Sequence, residues 1–137
     1  MSHIETIQSI YEAFARGDIP AILARLSETV EWEYGVNSTD VPWLQPRRGR
    51  DGAAEFFQSL AALDFKAFGV HLIAGSGDTV VALCNVEAVV RDTGEPFTEL
   101  DETHVWHFGP DGLVTRFRHR VDTHQQWLAC HGNDGGR

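Results

Sequence analysis

Residues 97–122, FTELDETHVWHFGPDGLVTRFRHRVD, decide the fold, because two long alternating stretches flank a turn. The segment Gly109-Pro110-Asp111-Gly112 is typical of a hairpin connection. The sequence therefore predicts a pair of antiparallel strands over Phe97–Phe108 and Leu113–Asp122.

The register of this hairpin divides its side chains between two faces. We expect Phe108 to pair with Leu113, which places Glu102 opposite His119. One face then combines apolar walls with a few ionisable groups, namely Leu100, Glu102, His104, Trp106, Phe117, His119 and Val121. The other face carries a ladder of opposite charges, namely Glu99, Asp101, Arg116, Arg118 and Arg120. A slip of one residue would send Glu102 and His119 to opposite faces.

The rest of the chain predicts helices first and strands afterwards. From spacing and capping residues, the predicted helices end at Gly17, run from the Asp18 cap through Leu26, begin at the Asp51 cap, and span Thr123–Cys130. The predicted strands before the last hairpin are Val30–Tyr34, Phe65–Ala74 and Thr79–Arg91. In the first of these strands Val30, Trp32 and Tyr34 alternate with Glu31 and Glu33, so one face is apolar and the two glutamates lie on the other. This order is typical of an α+β fold whose helices cover one face of a curved sheet. The face that carries Glu102 and the histidines is expected to be the covered one.

The strand over Thr79–Arg91 has two different faces. One is small and apolar, with Val80, Ala82, Cys84, Val86 and Ala88. We expect this face and the charged ladder to need a partner, so a homodimer is predicted. Asn85 and Glu87 lie on the opposite face and are expected to look into the space beneath the helices.

Composition and charge exclude several classes of protein. The 137 residues are 42% hydrophobic and 23% charged, which predicts one globular domain over residues 1–130 and a flexible tail over 131–137. A net charge of −9 repels phosphate backbones, so nucleic acid is not an expected partner. No apolar run is long enough to span a bilayer, and the N-terminus lacks a secretory pattern. We therefore expect a cytoplasmic protein without a membrane partner.

A glutamate beside a histidine in apolar surroundings is a usable acid–base unit. The carboxylate fixes the imidazole tautomer and raises its pKa, while burial lowers the pKa. A purely structural role is the competing interpretation, but the convergence of Glu102, His104 and His119 favours a ligand site. The same three residues could hold zinc, yet no tight metal-binding motif is present. We expect neither a metal nor another cofactor.

Five short motifs occur in order between residues 3 and 128. They are Tyr11–Asp18, Val30–Trp32, Arg48–Gly52, His104-Val105 and Arg116–Thr123. Together they resemble those of SnoaL-like members of the nuclear transport factor 2-like superfamily. The resemblance implies a cone-shaped α+β barrel, with three N-terminal helices packed on a curved, mostly antiparallel sheet and a short C-terminal helix. It also implies a deep apolar pocket and a dimer.

The resemblance further implies acid–base chemistry without a cofactor, as in polyketide cyclases, ketosteroid isomerases, limonene-type epoxide hydrolases and scytalone dehydratase. The proton-transfer position on the last strand of the cyclases corresponds to His119. The cyclase histidine one strand earlier corresponds to His104, with Glu102 two residues before it. The Arg-x-Asp pair of the epoxide hydrolases falls near Asn85 and Glu87, and the missing arginine argues against epoxide hydrolysis.

Residues and resemblance together predict a cofactor-free isomerase, cyclase or lyase that acts on a small hydrophobic, oxygen-bearing ring compound. His119 is the predicted general base or acid, Glu102 orients it, and His104 donates to a developing oxyanion. The predicted substrate-binding residues are Trp106, Trp32, Trp43, Tyr34, Asn85, Glu87 and Phe117. The alternative is a non-catalytic module of the same fold that binds a small hydrophobic ligand or dimerises.

Overall fold

The computed structural model describes residues 1–37 and 39–132, so residues 133–137 of the predicted tail lie outside the described part. The helices are α1 (His3–Ala15), α2 (Ile19–Leu23), α3 (Gly49–Ser59) and α4 (Thr123–Cys130), with a 3-10 turn at Leu60–Ala62. The strands are β1 (Leu26–Trp32), β2 (Arg47–Arg48), β3 (Leu63–Ser76), β4 (Thr79–Val90), β5 (Pro96–Phe108) and β6 (Val114–Arg120).

The strands form one six-stranded sheet in the order β2-β1-β6-β5-β4-β3. Strands β3 to β6 are an antiparallel meander, and β1 joins its edge by pairing parallel with β6. The helices cover one face and enclose a core rich in aromatic residues. This arrangement confirms the predicted α+β class. Within the described ranges, no helix is both long enough and apolar enough to cross a membrane.

Local capping explains where most of the helices begin. Ser2 and Glu5 form a reciprocal capping box at the start of α1. Asp18 caps α2 as predicted, but α2 ends at Leu23 because the chain then turns into β1 at Leu26. The third helix begins at Gly49, ahead of the predicted Asp51 cap, and its N-cap residue makes no side-chain hydrogen bond.

The register of β5 and β6 differs from the predicted one. His119 lies opposite His104 instead of Glu102, and Phe117 lies opposite Trp106 instead of His104. The pairing also shifts near the turn, where Thr115 is the extra residue of a bulge. Because the difference is two residues, the same side chains still share the inner face.

A second bulge exchanges the inward-facing and outward-facing side chains in the first part of β5. Asp101 has a φ of 58°, and the pairing with β4 shifts between Glu99 and Glu102. The alternation is therefore inverted before the bulge. Leu100, predicted on the inner face, is 75% exposed, whereas Glu99, predicted in the outer ladder, is 5% exposed.

The predicted orientation of β4 is wrong. The small apolar side chains of β4 are buried, because α1 and α4 pack against them. Asn85 and Glu87 are exposed on the other face. Strict alternation shows that a strand has two faces but does not show which one the helices cover. The buried face cannot meet a second subunit, so the homodimer prediction loses this support.

Candidate active site

An apolar cavity of about 70 Å³ lies between the helices and the inner face of the sheet. Aromatic residues from α1, α3 and β3 form much of its wall, namely Phe14, Phe56, Phe57, Phe65 and Phe68. A few polar side chains interrupt that wall, namely Tyr11, Glu102, His104, His119 and Gln126. An apolar cavity with a small number of convergent polar groups is the usual composition of a small-molecule site.

The structure brings most of the predicted site residues to this cavity. Those that line it are Glu102, His104, His119, Trp32, Trp43, Trp106 and Phe117. Asn85 and Glu87 do not, because they lie on the outer face of β4. Tyr34 does not either, because its hydroxyl bonds His107 Nε2 at 2.7 Å and its ring lies under the Arg116 guanidinium.

His119 is held by a buried glutamate that the sequence assigned to the polar face of β1. Glu33 has a φ of 58°, so the chain turns after β1 and the Glu33 side chain points inward, 3% exposed. Its Oε1 accepts hydrogen bonds from the backbone N–H of His119 at 2.8 Å and from Nδ1 of the ring. Among the described residues, Nε2 of His119 has no hydrogen-bond partner. The neutral imidazole therefore carries its lone pair on Nε2.

The charge of Glu33 sets the pKa of His119. Burial alone lowers the pKa of this imidazole, but the attraction and hydrogen bond of the Glu33 carboxylate outweigh burial and raise it above its ordinary value. Glu102 adds a smaller contribution in the same direction. His119 is thus a buried base whose protonated form is stabilised by two carboxylates.

A second hydrogen-bonded chain runs beside His119. His104 Nε2 lies 2.6 Å from Glu102 Oε2, and His104 Nδ1 lies 2.5 Å from the Tyr11 hydroxyl. Trp106 Nε1 donates to the same hydroxyl at 3.1 Å. Burial lowers the pKa of His104. The pKa of Glu102 is raised by burial but lowered overall by the hydrogen bond of His104 and the charge of His119.

These pKa directions assign the protons of the chain. An ionised Glu102 accepts from Nε2–H of a neutral His104, whose Nδ1 then accepts from the Tyr11 O–H. The predicted partnership of Glu102 with His119 is therefore absent, because Glu102 bonds His104. Both ring nitrogens of His104 are engaged, so it can donate to an oxyanion only by breaking one of these bonds. The His104 and His119 rings meet edge to face, 4.8 Å between centroids.

A metal or a thiol nucleophile would have to use the same groups. The ligand atoms of Glu102, His104 and His119 lie within 4.8 Å of one another, a donor set that fits zinc. A zinc ion would have to replace the hydrogen bond between Glu102 and His104. Cys84 Sγ lies 3.8 Å from His104 Nδ1, but burial raises the pKa of this thiol to about 12, so it stays protonated.

Sequence reasoning missed several buried polar residues. Tyr11 lies on the apolar face of α1, and a hydroxyl on that face was the signal that could have identified it as a site residue. Glu33 gave no such signal, because the alternation along the predicted strand placed its side chain on the polar face. Gln126 and Glu99 were also missed: Trp43 Nε1 donates to Gln126 Oε1 at 2.6 Å, and Gln126 Nε2 donates to Glu99 Oε2 at 2.9 Å. This bond chain holds α4 against β5 at the end of the cavity.

Comparison with known proteins places this chain in a family. The family model of the SnoaL-like domain matches residues 7–117. No curated protein matches the chain in sequence. An NTF2-like protein of unknown function from Burkholderia pseudomallei has a similar structure, with a TM-score of 0.77 and 24% identity over 95% of this chain and 98% of that one. This likeness confirms the predicted fold class.

Two further solved structures are similar. TerC, co-crystallised with polyporic acid, is 25% identical over 94% of this chain and 98% of its own, with a TM-score of 0.71. A candidate SnoaL-like polyketide cyclase from Mesorhizobium loti is 16% identical over 88% of this chain and 99% of its own, with a TM-score of 0.70.

Proposed function

Because the chain belongs to the SnoaL-like family, we propose that it is an acid–base enzyme, an isomerase, cyclase or lyase that works without a cofactor. Its substrate is a small hydrophobic ring compound that carries oxygen. One observation carries the proposal: Glu33 fixes Nδ1 of His119, and Nε2 of the same ring has no partner among the described residues. His119 lines an apolar cavity, so Nε2 is the natural proton acceptor for a bound molecule.

In this proposal His119 is the general base. Its Nε2 takes a proton from a carbon or oxygen of the substrate, and Glu33 stabilises the imidazolium that forms. The imidazolium can then return the proton to another carbon, to the alkoxide that forms when the deprotonated carbon attacks a carbonyl of the same molecule, or to a departing hydroxyl. These three outcomes correspond to isomerisation, cyclisation and elimination. A positioned general base of this kind accelerates a reaction by about 10²–10⁴-fold.

The chain from Tyr11 through His104 to Glu102 acts on His119 rather than on the substrate. The Glu102 charge favours the imidazolium of His119. His104 holds Glu102 in place through the bond at 2.6 Å and is a positioning residue. Tyr11 and Trp106 fix the tautomer of His104 in turn.

The neighbours support a small organic molecule as the ligand. The TerC crystals contain polyporic acid, and the Mesorhizobium loti protein is a candidate polyketide cyclase. Neither finding selects one reaction among isomerisation, cyclisation and elimination. The proposal therefore rests on the residues of the cavity.

The test is turnover by matched variants. Oxygen-bearing ring compounds that raise the melting temperature are incubated with the protein, and the products are analysed by mass spectrometry. His119→Gln should lower turnover by about 10²–10⁴-fold. His107→Gln, on the same sheet but facing away from the cavity, is the control and should keep turnover. Equal turnover by His119→Gln and the wild type would contradict the proposal.

The binding-module alternative has its own outcome in this experiment. Compounds that stabilise the protein but are recovered unchanged from every incubation indicate a binding protein.

A further inference from the structure

A polar groove of about 560 Å³ adjoins the apolar cavity. It lies beside the end of β6 and the segment that follows β1, and Val36 and Thr39 form part of its wall. The residues that line both the groove and the cavity are Leu44, Glu102, His119 and Val121. The acid–base residues therefore stand between an apolar compartment and a polar one.

Every carboxylate on the groove already has a partner. The five are Glu33, Glu99, Asp101, Glu102 and Asp122. Glu33 bonds His119, Glu99 bonds Gln126, and Asp101 pairs with His71. Glu102 bonds His104, and Asp122 accepts from the backbone N–H of Gln125. The negative charge of the groove is thus engaged in holding the fold and the site.

The two arginines of the groove have no such partners. Arg118 and Arg120 line it, and within residues 1–37 and 39–132 neither makes an ion pair or a side-chain hydrogen bond. The Nε–H of Arg118 is buried and has no hydrogen-bond partner among the described residues, and its guanidinium carbon lies 5.8 Å from the centroid of the Tyr34 ring. By contrast, Arg116 on the same face of β6 pairs with Glu31 at 3.5 Å and does not line the groove. Arginine donors that line a groove and have no partner among the described residues are available to an acceptor that binds there.

We propose that the substrate is an amphipathic acid whose ring lies in the apolar cavity and whose carboxylate lies in the groove, bound by Arg118 and Arg120. The reacting part of the substrate then lies between the four side chains that line both the groove and the cavity, within reach of His119. This inference rests on the proposed function and gives its substrate a chemical class. A planar carboxylate fits the donor fork of arginine, and the bond is strengthened by charge.

The charges of the chain that lie outside the groove oppose this binding little. Charges farther away than about 8 Å are largely screened at physiological salt, whereas the arginine contacts act at hydrogen-bond distance. The two arginines would therefore select for a carboxylate over a neutral group of similar size.

The test compares two probes that differ in this group, 3-phenylpropanoate and 3-phenylpropan-1-ol. Calorimetric titration at pH 7 should give about tenfold tighter binding of the acid, since a hydrogen bond to a charged group is the stronger kind. Arg118→Gln and Arg120→Gln should each reduce this preference. Arg120→Gln alters an exposed side chain and tests the idea even if Arg118→Gln fails to fold. Arg116→Gln is the matched control and should keep the preference.

The outcomes separate this inference from the proposed function. Equal binding of acid and alcohol by the wild type, or a preference that survives in Arg118→Gln and Arg120→Gln, overturns the carboxylate site and leaves the apolar cavity standing. Binding of neither probe overturns the carboxylate site and also counts against the cavity as a ligand site.

Discussion

Replacing Glu33 by glutamine removes a buried charge from His119 and keeps the contact. The side-chain amide of the variant would retain an oxygen that can accept from the His119 backbone N–H and from Nδ1. Both native side chains are largely buried, 3% exposed for Glu33 and 11% for His119, so solvent screens their interaction little. We expect the pKa of His119 to fall in Glu33→Gln, because burial then acts against the imidazolium with less compensation.

The size of this fall follows from the hydrogen bond. A bond to a charged group contributes about 1.5–3 kcal/mol, against about 0.5–1.5 kcal/mol for a neutral pair. The difference, roughly 1–1.5 kcal/mol, is the stabilisation of the His119 imidazolium that the variant loses through this bond. The longer-range attraction between the two charges adds to this loss.

The change in pKa is also a change in stability with a defined sign. The pKa of His119 is raised on folding, so its contribution to the free energy of unfolding is complete below about pH 6.5 and disappears as pH rises through the folded pKa. Glu33→Gln should therefore lose more stability at about pH 6 than at about pH 9. Urea denaturation at the two pH values measures the difference.

The titration itself is followed by ¹⁵N NMR of the imidazole nitrogens, with His119→Gln to assign the signals. Glu31→Gln changes a half-buried carboxylate near the end of β1 that pairs with Arg48 and Arg116, so it is the control and should leave the His119 titration unchanged. A pKa of His119 in Glu33→Gln that equals or exceeds the wild-type value would refute the assignment of Glu33.

Three other predictions concern the core, the thiols and the assembly. Trp43→Phe should lower the free energy of unfolding by about 1–3 kcal/mol in urea denaturation, because it leaves the buried Gln126 Oε1 without its donor. Stability equal to wild type would contradict this. Cys84, with a pKa raised to about 12, should resist labelling by iodoacetamide at about pH 8 until the protein unfolds, as mass mapping would show. Light scattering at micromolar concentration should show a homodimer, and the mass of a monomer would contradict this prediction.

The sequence predicted the fold because its strongest signals were local. Hairpin turns, alternation and the motif order identified the meander and the SnoaL-like family, which the match over residues 7–117 confirms. The shared inner face of Glu102, His104 and His119 was also predictable, since it survives any even change of register.

The pairing within the site was not predictable, for reasons that lie in the backbone. Alternation fails at residues with positive φ, and Glu33 and Asp101 both have a φ of 58°. The turn at Glu33 brings inward a carboxylate assigned to the outside, and the bulge at Asp101 exchanges Glu99 and Leu100. Glutamate rarely adopts this conformation, so no residue type marked the turn.

The parallel contact between β1 and β6 has a consequence for how the site comes into being. Strands β3 to β6 can form through successive local hairpins, whereas Glu33 and His119 are 86 positions apart in the chain. The entropy of closing so long a loop opposes this contact until much of the meander exists. The base is thus assembled late in folding and, because the same barrier is crossed in reverse, separates early when the native protein opens. A chain emerging from the ribosome would form its hairpins before it held a working base.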